Sequence, residues 1–276
     1  GIEYASIFSI LNIDVTVISR SDQLFGFIDR EMTDKLSFHL RENGVRLLMQ
    51  DEINEVLIDS ENHPQVHLKS GKKIYADMMM VVSGRSGSAK DLIPELAGVN
   101  ISDRGLIQVN KHYQTNIEHI YAVGDIIGFP SLASTSLEQG RKASQHACLG
   151  KIHESFQNFP FGIYSIPVIA YVGKNEEELS QDRVPYVTGI AHYREIAKGE
   201  IIEDHTGYFK LLFHQDTRKL LGAHIIGSGA TELIHIAQAV INFDSGLDYF
   251  LDAIFNYPTL AECYKIAAIN ADRKFK

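Results

Sequence analysis

The chain has 276 residues, a length that predicts about two domains, each large enough to bury a hydrophobic core. Hydrophobic residues make up 45% and charged residues 22%, which is the balance of a soluble globular protein and excludes a collagen-like or disordered chain. The net charge is -9 and no run of Lys and Arg occurs, so a nucleic-acid partner is disfavoured.

The first predicted element is a helix from Ile2 to Leu11, where apolar side chains recur at helical spacing and Asn12 can form a left-handed C-cap. The β-branched run from Val15 to Ile18 then predicts a buried parallel strand. A helix followed by such a strand is half of a βαβ unit, and no strand precedes the helix in the sequence. We therefore expect that a strand has been removed from the N-terminus.

A second, amphipathic helix is predicted from Asp29 to Asn43, closed by Gly44 at the C′ position and followed by a parallel strand from Val45 to Leu48. One face of this helix carries three large apolar side chains, those of Met32, Leu36 and Leu40.

Short runs between residues 55 and 75, with a turn at Ser70-Gly71, predict a small antiparallel meander. The apolar run from Met78 to Val82 predicts a buried strand that ends at Ser83-Gly84-Arg85. Further along, the pattern predicts two more strands and a helix, at 107–109, 120–123 and about 134–149.

A linker over residues 151–160 leads into a segment of different composition. The elements predicted there are an apolar run at 163–172, an acidic helix start at 175–178, a hairpin over 208–226, and helices over about 230–242 and 259–272. This order predicts an α+β domain after an α/β domain.

The two cysteines, Cys148 and Cys263, lie far apart in a chain without a C-x-x-C motif, so neither a disulfide framework nor a zinc site is indicated. The histidines also lack ligand spacing, and no metal site is predicted. The apolar stretches fall short of the ~20 residues that a bilayer span needs, and the N-terminus shows no signal-peptide pattern. We therefore expect a cytoplasmic protein without a membrane partner.

Residues 115–125 are the most informative for chemistry. They predict a buried strand that ends in Gly124-Asp125, at the carboxyl end where open α/β sheets bind ligands. Glycine lets the backbone approach a ligand, and Asp125 can accept a hydrogen bond from a sugar-like hydroxyl. The next helix has its positive N-terminus near Leu132 to Ser134, which suits an electron-rich carbonyl or a developing anion. On spacing alone, an ordinary strand followed by an Asp turn explains the pattern equally well.

Thr115 and the run from Ile120 to Asp125 resemble the second flavin motif of the FAD-dependent pyridine nucleotide-disulfide oxidoreductases, T-x-x-x-x-hydrophobic-Y-A-hydrophobic-G-D. The resemblance implies an α/β Rossmann-like NAD(P) domain and part of an FAD domain, followed by an α+β dimerisation domain. It also implies that Asp125 binds the ribityl chain of FAD. The backbone N–H groups of Leu132 and Ala133 then face the pyrimidine edge of the flavin and stabilise negative charge there.

The start of the chain resembles the tail of the family's dinucleotide fingerprint, G-x-G-x-x-G, with Gly1 as the last glycine. By that resemblance Glu3 stands beside the nicotinamide and the flavin and is the catalytic candidate; an exposed helical Glu is the alternative. Gly84-Arg85 resembles the family's G-R-x-P-N segment near the nicotinamide ribose, although residues 86–88 lack its Pro and Asn.

The residues after the strand at 15–18 bear on nucleotide preference. NAD-selective folds place Asp or Glu there to bind the ribose 2′-hydroxyl, whereas NADP-selective folds use Arg and exclude the acid. Here Ser19 occupies the acidic position and Arg20 adds a positive charge. We therefore expect the site to accept both NAD and NADP.

The C-terminal segment resembles the family's dimerisation domain, which implies a homodimer. At the family's H-P-T-x-x-E site the sequence reads Tyr257-Pro258-Thr259 with Glu262, so that Tyr257 replaces the His. With a reference pKa of about 10, tyrosine is a poor acid or base at neutral pH. Disulfide and dihydrolipoamide chemistry are therefore disfavoured.

Within the family, residues 130–134, 162–164 and 256–259 look most like the flavoproteins that transfer hydride reversibly between NADPH and NAD+ through FAD, which needs no thiol relay. One alternative is a disulfide or dihydrolipoamide reductase relative with a changed proton relay. Another is a catalytically inert fragment that binds nucleotide and dimerises, because the first flavin-binding segment is absent. The expected domains are 1–85 for NAD(P), 86–158 for the second FAD segment and 159–276 for dimerisation.

Overall fold

The computed structural model describes residues 1–89, 97–151 and 158–275. They form two compact units, one comprising Gly1–Met80 with Pro160–Lys276 and the other comprising Val81–Phe159. Helices and sheets are mixed, and the sheets are parallel near the N-terminus and antiparallel in the C-terminal segment, as the predicted fold class requires. The boundaries of the three expected domains stay a prediction.

The N-terminal segment of the larger unit contains two helices and two strands in alternation, α1 (Ile2–Ile10), β1 (Thr16–Ile18), α2 (Arg30–Glu42) and β2 (Arg46–Leu48). Strands β1 and β2 pair in parallel, with Val17 opposite Leu47. Asn12 has a φ of 60°, the left-handed conformation predicted for it. The Asp29 side chain caps α2 by accepting a hydrogen bond from the Glu31 N–H at 3.1 Å. These predicted elements are confirmed.

A three-stranded antiparallel sheet follows, made of β3 (Ile53–Ile58), β4 (Pro64–Leu68) and β5 (Lys73–Tyr75), and it confirms the predicted meander. Burial on the central strand β4 alternates, with Val66 and Leu68 buried and Gln65 and His67 half-buried. Such alternation gives β4 one buried face and one face that is partly exposed to solvent.

The smaller unit contains a 3-10 helix (Gly124–Ile127) and one long helix, α3 (Ala133–Leu149), which confirms the helix predicted at 134–149. Helix α3 ends at Gly150, whose φ of 62° closes the last turn in the left-handed conformation.

The predicted strand from Met78 to Val82 is wrong. These residues form no strand, and Met78 and Val81 are 82% and 72% exposed. An apolar run becomes a strand only where a neighbouring strand pairs with its backbone and another layer covers its side chains. Among the described residues this run has neither.

The strands predicted at 107–109 and 120–123 are also wrong. Each segment makes only an isolated bridge, Ile101 with Ile107 and Gln114 with Tyr121. The backbone groups of the second segment bond to a nearby turn instead, as in the hydrogen bond from the Ala122 N–H to the Tyr113 carbonyl at 3.0 Å.

The C-terminal segment builds a five-stranded antiparallel sheet of β6 (Phe161–Ile163), β7 (Ile169–Gly173), β8 (Tyr186–His192), β9 (Tyr208–His214) and β10 (Leu220–Ile226), in the order β6-β7-β10-β9-β8. The β9–β10 pair is the predicted hairpin. The helices of this segment are α4 (Glu176–Gln181), α5 (Ala197–Ile201), α6 (Ala230–Asn242), α7 (Leu247–Asp252) and α8 (Glu262–Asp272).

Both faces of the five-stranded sheet are covered. Phe209, Leu211 and Phe213 on β9 pack in one buried cluster with residues of α6, α7 and α8. Tyr208 on the opposite face packs in a second cluster with the apolar face of α2, which includes Leu36. Burial on both faces explains why β9 and β10 are nearly continuous apolar runs in the sequence.

A buried ion cluster joins α2 to this sheet. Lys210 on β9 is 1% exposed, and its Nζ lies 2.9 and 3.0 Å from the two carboxylate oxygens of Asp29. The same ammonium lies 3.2 Å from Glu31 and contacts the Glu176 carboxylate at the start of α4. A buried charge is stable only when it is paired and hydrogen-bonded, and Lys210 meets both conditions.

Across residues 1–89, 97–151 and 158–275, the structure contains no helix that is long and apolar enough to cross a membrane. The same residues contain no group of three or more His, Cys, Asp or Glu side chains arranged to hold a metal ion.

Candidate functional site

Helix α1 begins at Ile2, directly after Gly1. Gly1 is the N-cap residue and makes no side-chain capping hydrogen bond. The first N–H groups of a helix have no partner within the helix, so they and the helix dipole suit a phosphate. This geometry is compatible with the role predicted for Gly1.

Glu3 lies in the first turn of α1 and is tied to the C-terminal segment. Its Oε1 accepts a hydrogen bond from the Tyr164 backbone N–H at 2.8 Å. One turn later, the Ser6 hydroxyl donates to the Glu3 carbonyl at 2.8 Å and accepts from the Ile166 N–H at 3.2 Å. Glu3 is therefore exposed but held in place, and the segment 162–164 singled out in the sequence supplies its partner.

Ser19, Arg20 and Ser21 follow β1 at its carboxyl end. The Ser19 N–H donates to the Leu48 carbonyl at 2.9 Å, and the Ser19 carbonyl accepts from the Asp51 N–H at 3.0 Å. The Ser19 hydroxyl accepts from the Ser21 N–H at 3.2 Å, while the Arg20 side chain is exposed. The loop is thus fixed by its backbone, and its side chains can meet a ligand.

In the smaller unit the structure brings together two motifs that were predicted separately. Arg85 lies 3.1 Å from the Asp125 carboxylate, in an ion pair whose side chains are 84% and 47% exposed. Gly124 has a φ of 81°, which disfavours any side chain, and its N–H donates to Gln139 Oε1 at 2.7 Å. The Gln139 side chain, buried on α3, therefore fixes the turn that presents Asp125.

Leu132 and Ala133 start α3, as expected. The Leu132 N–H lies 3.3 Å from the Thr135 hydroxyl oxygen, a long hydrogen bond that a better acceptor can displace. The Thr135 and Ser136 hydroxyls each donate to the Leu132 carbonyl at 2.9 Å. The Leu132 carbonyl thus has hydrogen-bond donors. Ala133 is exposed at the positive end of the helix.

Gly84, with a φ of 131°, belongs to the same unit, and the sequence reasoning missed why a second glycine follows it. Gly87 packs against the backbone of Gly105, so that a Cβ on Gly87 would lie 2.1 Å from the Gly105 carbonyl oxygen. Glycine at position 87, where the family motif has Pro, is thus required by this close approach. The extra glycine in that segment was the available signal.

Tyr257 lies on the surface, at the position of the family's relay His. The Tyr257 side chain is 75% exposed, and Glu262 Oε2 accepts a hydrogen bond from the Thr259 backbone N–H at 3.1 Å. Glu262 therefore accepts a backbone hydrogen bond at the start of α8. The neighbouring Cys263 is fully buried, and burial raises the pKa of its thiol well above the ordinary value, which makes it unreactive.

The residues predicted to bind the nicotinamide nucleotide or the flavin are thus divided between the two compact units. Gly1, Glu3, Ser19 and Arg20 lie in the larger unit, on α1 and after β1. The remaining candidates lie in the smaller unit, and they are Gly84, Arg85, Gly124, Asp125, Leu132 and Ala133.

Comparison with known protein families identifies the family of the chain. Residues 1–146 match the pyridine nucleotide-disulphide oxidoreductase family, and residues 159–268 match the dimerisation domain of the same family. The chain belongs to the pyridine nucleotide-disulphide oxidoreductase family. Its members use FAD and NAD(P).

Among curated relatives, a soluble pyridine nucleotide transhydrogenase of Mycobacterium tuberculosis is 44% identical over 277 residues, covering 100% of this chain and 59% of the relative. The soluble pyridine nucleotide transhydrogenase of Serratia proteamaculans is 44% identical over 274 residues, covering 98% of this chain and 59% of the relative. The chain therefore spans about three fifths of the length of these relatives.

Solved structures share the fold. The HOCl-induced flavoprotein disulfide reductase RclA from Escherichia coli superimposes with a TM-score of 0.91 at 24% identity, covering 97% of this chain and 62% of that chain. LpdA from Mycobacterium tuberculosis superimposes with a TM-score of 0.88 at 23% identity, covering 97% of this chain and 58% of that chain. At these identities the likeness shows the fold alone.

Proposed function

We propose that the chain is the nucleotide-binding and dimerising portion of a soluble pyridine nucleotide transhydrogenase, which transfers hydride reversibly between NADPH and NAD+ through FAD. The observation that carries the proposal is the 44% identity to curated transhydrogenases along the whole chain. The exposed Tyr257 at the family's relay position supports it, because hydride transfer between nucleotides needs orientation and no thiol relay.

The smaller unit suits a flavin. FAD, when bound, supplies the group that accepts and returns the hydride. We assign the Asp125 carboxylate to a hydroxyl of the ribityl chain, for which its exposure and its glycine-supported turn are suited. The N–H groups of Leu132 and Ala133, at the positive end of α3, are assigned to the electron-rich flavin edge.

The larger unit suits the nicotinamide nucleotide. The open first turn of α1, after Gly1, is assigned to the pyrophosphate. Ser19 and Arg20 are assigned to the adenosine ribose and accept either a 2′-hydroxyl or a 2′-phosphate. Glu3, held by the Tyr164 N–H, is assigned to the neighbourhood of the nicotinamide, where its fixed carboxylate orients the ring. By the family resemblance, Gly84 and Arg85, which belong to the smaller unit, are assigned to the nicotinamide ribose.

The partner of the C-terminal segment is a second copy of the chain. The match to the family's dimerisation domain supports this assignment, as do exposed apolar side chains such as Ile254, which is 96% exposed. A monomer at micromolar concentration in size-exclusion chromatography would contradict it. We also propose that the protein works in the cytoplasm.

An absorbance spectrum of the purified chain tests the enzyme proposal. We expect bound flavin at close to one per chain, and bleaching of its visible band when NADPH is added without oxygen. A chain that binds no flavin, even after incubation with FAD, and still forms a dimer supports the inert-fragment alternative instead.

A further inference from the structure

Two charged residues that no motif singles out lie beside the loop assigned to the adenosine ribose. Glu52 follows β2, and the neighbouring backbone is tied to this loop, because the Gln50 N–H donates to the Ser21 carbonyl at 3.1 Å. Lys69 follows β4, and its N–H donates to the Glu52 carbonyl at 2.8 Å. Glu52 and Lys69 are therefore attached to the carboxyl ends of β1 and β2 by continuous backbone hydrogen bonds.

The side chains of these two residues form an exposed ion pair. Lys69 Nζ lies 2.7 Å from Glu52 Oε2, and the side chains are 60% and 43% exposed. The hydrogen bond and charge of Lys69, together with the charge of Arg20, lower the pKa of the Glu52 carboxyl. Glu52 is thus paired with Lys69.

The other charges at this edge are committed elsewhere. The Asp51 carboxylate is buried and accepts hydrogen bonds from the Ser70 hydroxyl at 2.5 Å and from the Glu52 N–H at 3.0 Å. Lys72 lies 3.7 Å from the same carboxylate. Asp51 therefore fixes the turn between β4 and β5, whereas the side chains of Arg20, Glu52 and Lys69 are accessible to solvent.

We propose that Glu52 is a specificity-determining residue that pairs with Lys69 beside the loop of Arg20, so that one site accepts both the 2′-hydroxyl of NAD(H) and the 2′-phosphate of NADP(H). The inference rests on the proposed nucleotide site and deepens it. With a 2′-hydroxyl ligand, Glu52 neutralises Lys69. With a 2′-phosphate ligand, the flexible Lys69 side chain turns from Glu52 to the phosphate, Arg20 adds its charge, and the repulsion of Glu52 limits the gain. Balanced use of both nucleotides is what a transhydrogenase requires.

Titration calorimetry with 2′,5′-ADP (adenosine 2′,5′-bisphosphate) and 5′-AMP tests the proposal on the whole chain, because the two probes differ only in the 2′-phosphate. Glu52→Gln removes the repulsion and keeps the side-chain shape, so we expect 2′,5′-ADP to bind about fivefold more tightly. Lys69→Met removes one phosphate partner, so 2′,5′-ADP should bind about fivefold more weakly. The affinity for 5′-AMP should change by less than about twofold in both variants.

Two matched variants control for net charge. Glu55→Gln removes a carboxylate three residues further along β3, and Lys73→Met removes an ammonium on β5. We expect neither to change the ratio of the two affinities. An unchanged ratio in Glu52→Gln and Lys69→Met, with both probes still bound, would show an ordinary surface ion pair and overturn this inference alone. A native chain that binds neither probe would overturn the nucleotide site, and this inference with it.

Discussion

The two compact units differ in how much core they bury. The larger unit has two buried clusters built on large side chains such as Phe209, Tyr264 and Leu36. In the described part of the smaller unit, the buried hydrophobic residues are small ones, namely Ala89, Val99, Ala122 and Ala143. Small side chains remove little apolar surface from water, so the smaller unit gains much less free energy from folding.

The smaller unit relies on polar contacts where the larger unit relies on packing. Thr115, Thr135 and Gln139 are buried there, and each makes a hydrogen bond to the backbone of a loop or helix end. These loops carry the residues assigned to the flavin. The residues assigned to the flavin therefore lie in the smaller unit, whose described part buries less apolar surface. A bound flavin should stabilise that unit selectively.

The largest expected effect tests the larger unit. Lys210→Met leaves the buried Asp29 carboxylate without its partner, and we expect the free energy of unfolding to fall by about 3 to 5 kcal/mol. Urea unfolding followed by circular dichroism measures this change. Lys219→Met, at an exposed pair with Asp244, is the matched control and should change nothing measurable. An equally small effect at Lys210 would contradict a stabilising role for the cluster.

The same cluster predicts a dependence on pH. Burial alone lowers the pKa of an ammonium, but the hydrogen bonds and charges of Glu176 and Asp29 outweigh it and raise the pKa of Lys210. A raised pKa contributes stability that is fully present below the unfolded value of about 10.4 and is lost as the pH rises through the folded value. The Lys210→Met variant should therefore lose less stability, relative to the native chain, at strongly alkaline pH.

A second prediction compares two apolar residues in opposite surroundings. Leu36→Ala empties part of the core between α2 and the five-stranded sheet, and should lower the free energy of unfolding by about 2 to 5 kcal/mol. Met78 is 82% exposed, so Met78→Ala should change it by less than about 0.5 kcal/mol. Comparable losses in the two variants would show that residues 78–82 pack in solution as tightly as the core.

The third prediction addresses the smaller unit directly. FAD at a hundredfold excess over its Kd should stabilise Val81–Phe159 by about 2.7 kcal/mol and should slow amide hydrogen exchange there. Asp125→Asn weakens the acceptor for the ribityl hydroxyl and should reduce this protection. Exchange that slows in neither unit would mean that the flavin is not recognised by the smaller unit, and exchange that slows equally in both would contradict its selective stabilisation.

The sequence predicts much of the larger unit because its elements carry local signals. The period of Met32, Leu36 and Leu40 predicts α2, and the turn between two apolar runs predicts the β9–β10 hairpin. The sequence does not show the ion cluster, since Asp29, Glu176 and Lys210 are far apart along the chain. The single Lys within the apolar run of β9 was a usable signal, because a charge in such a run demands a buried partner.

From residue 78 onward, into the smaller unit, local signals predicted too much. Residues 78–82, 107–109 and 120–123 have strand-like composition, yet the described residues offer them no sheet to join. Strand formation depends on partners that a local pattern cannot show. In the candidate site, the sequence identified two glycine-containing motifs separately, Gly84-Arg85 and Gly124-Asp125. Only the structure shows the contact between Arg85 and Asp125.

The most direct test of hydride transfer without a thiol relay is a comparison of electron acceptors. The flavin-loaded protein is given NADPH with thio-NAD+, lipoamide or glutathione disulfide, and the loss of NADPH and the formation of reduced thio-NAD+ are followed by absorbance. The exposed Tyr257 and the commitment of Glu262 to the Thr259 N–H predict rapid reduction of thio-NAD+ and none of either disulfide. Reduction of a disulfide with thio-NAD+ left unchanged would contradict the account.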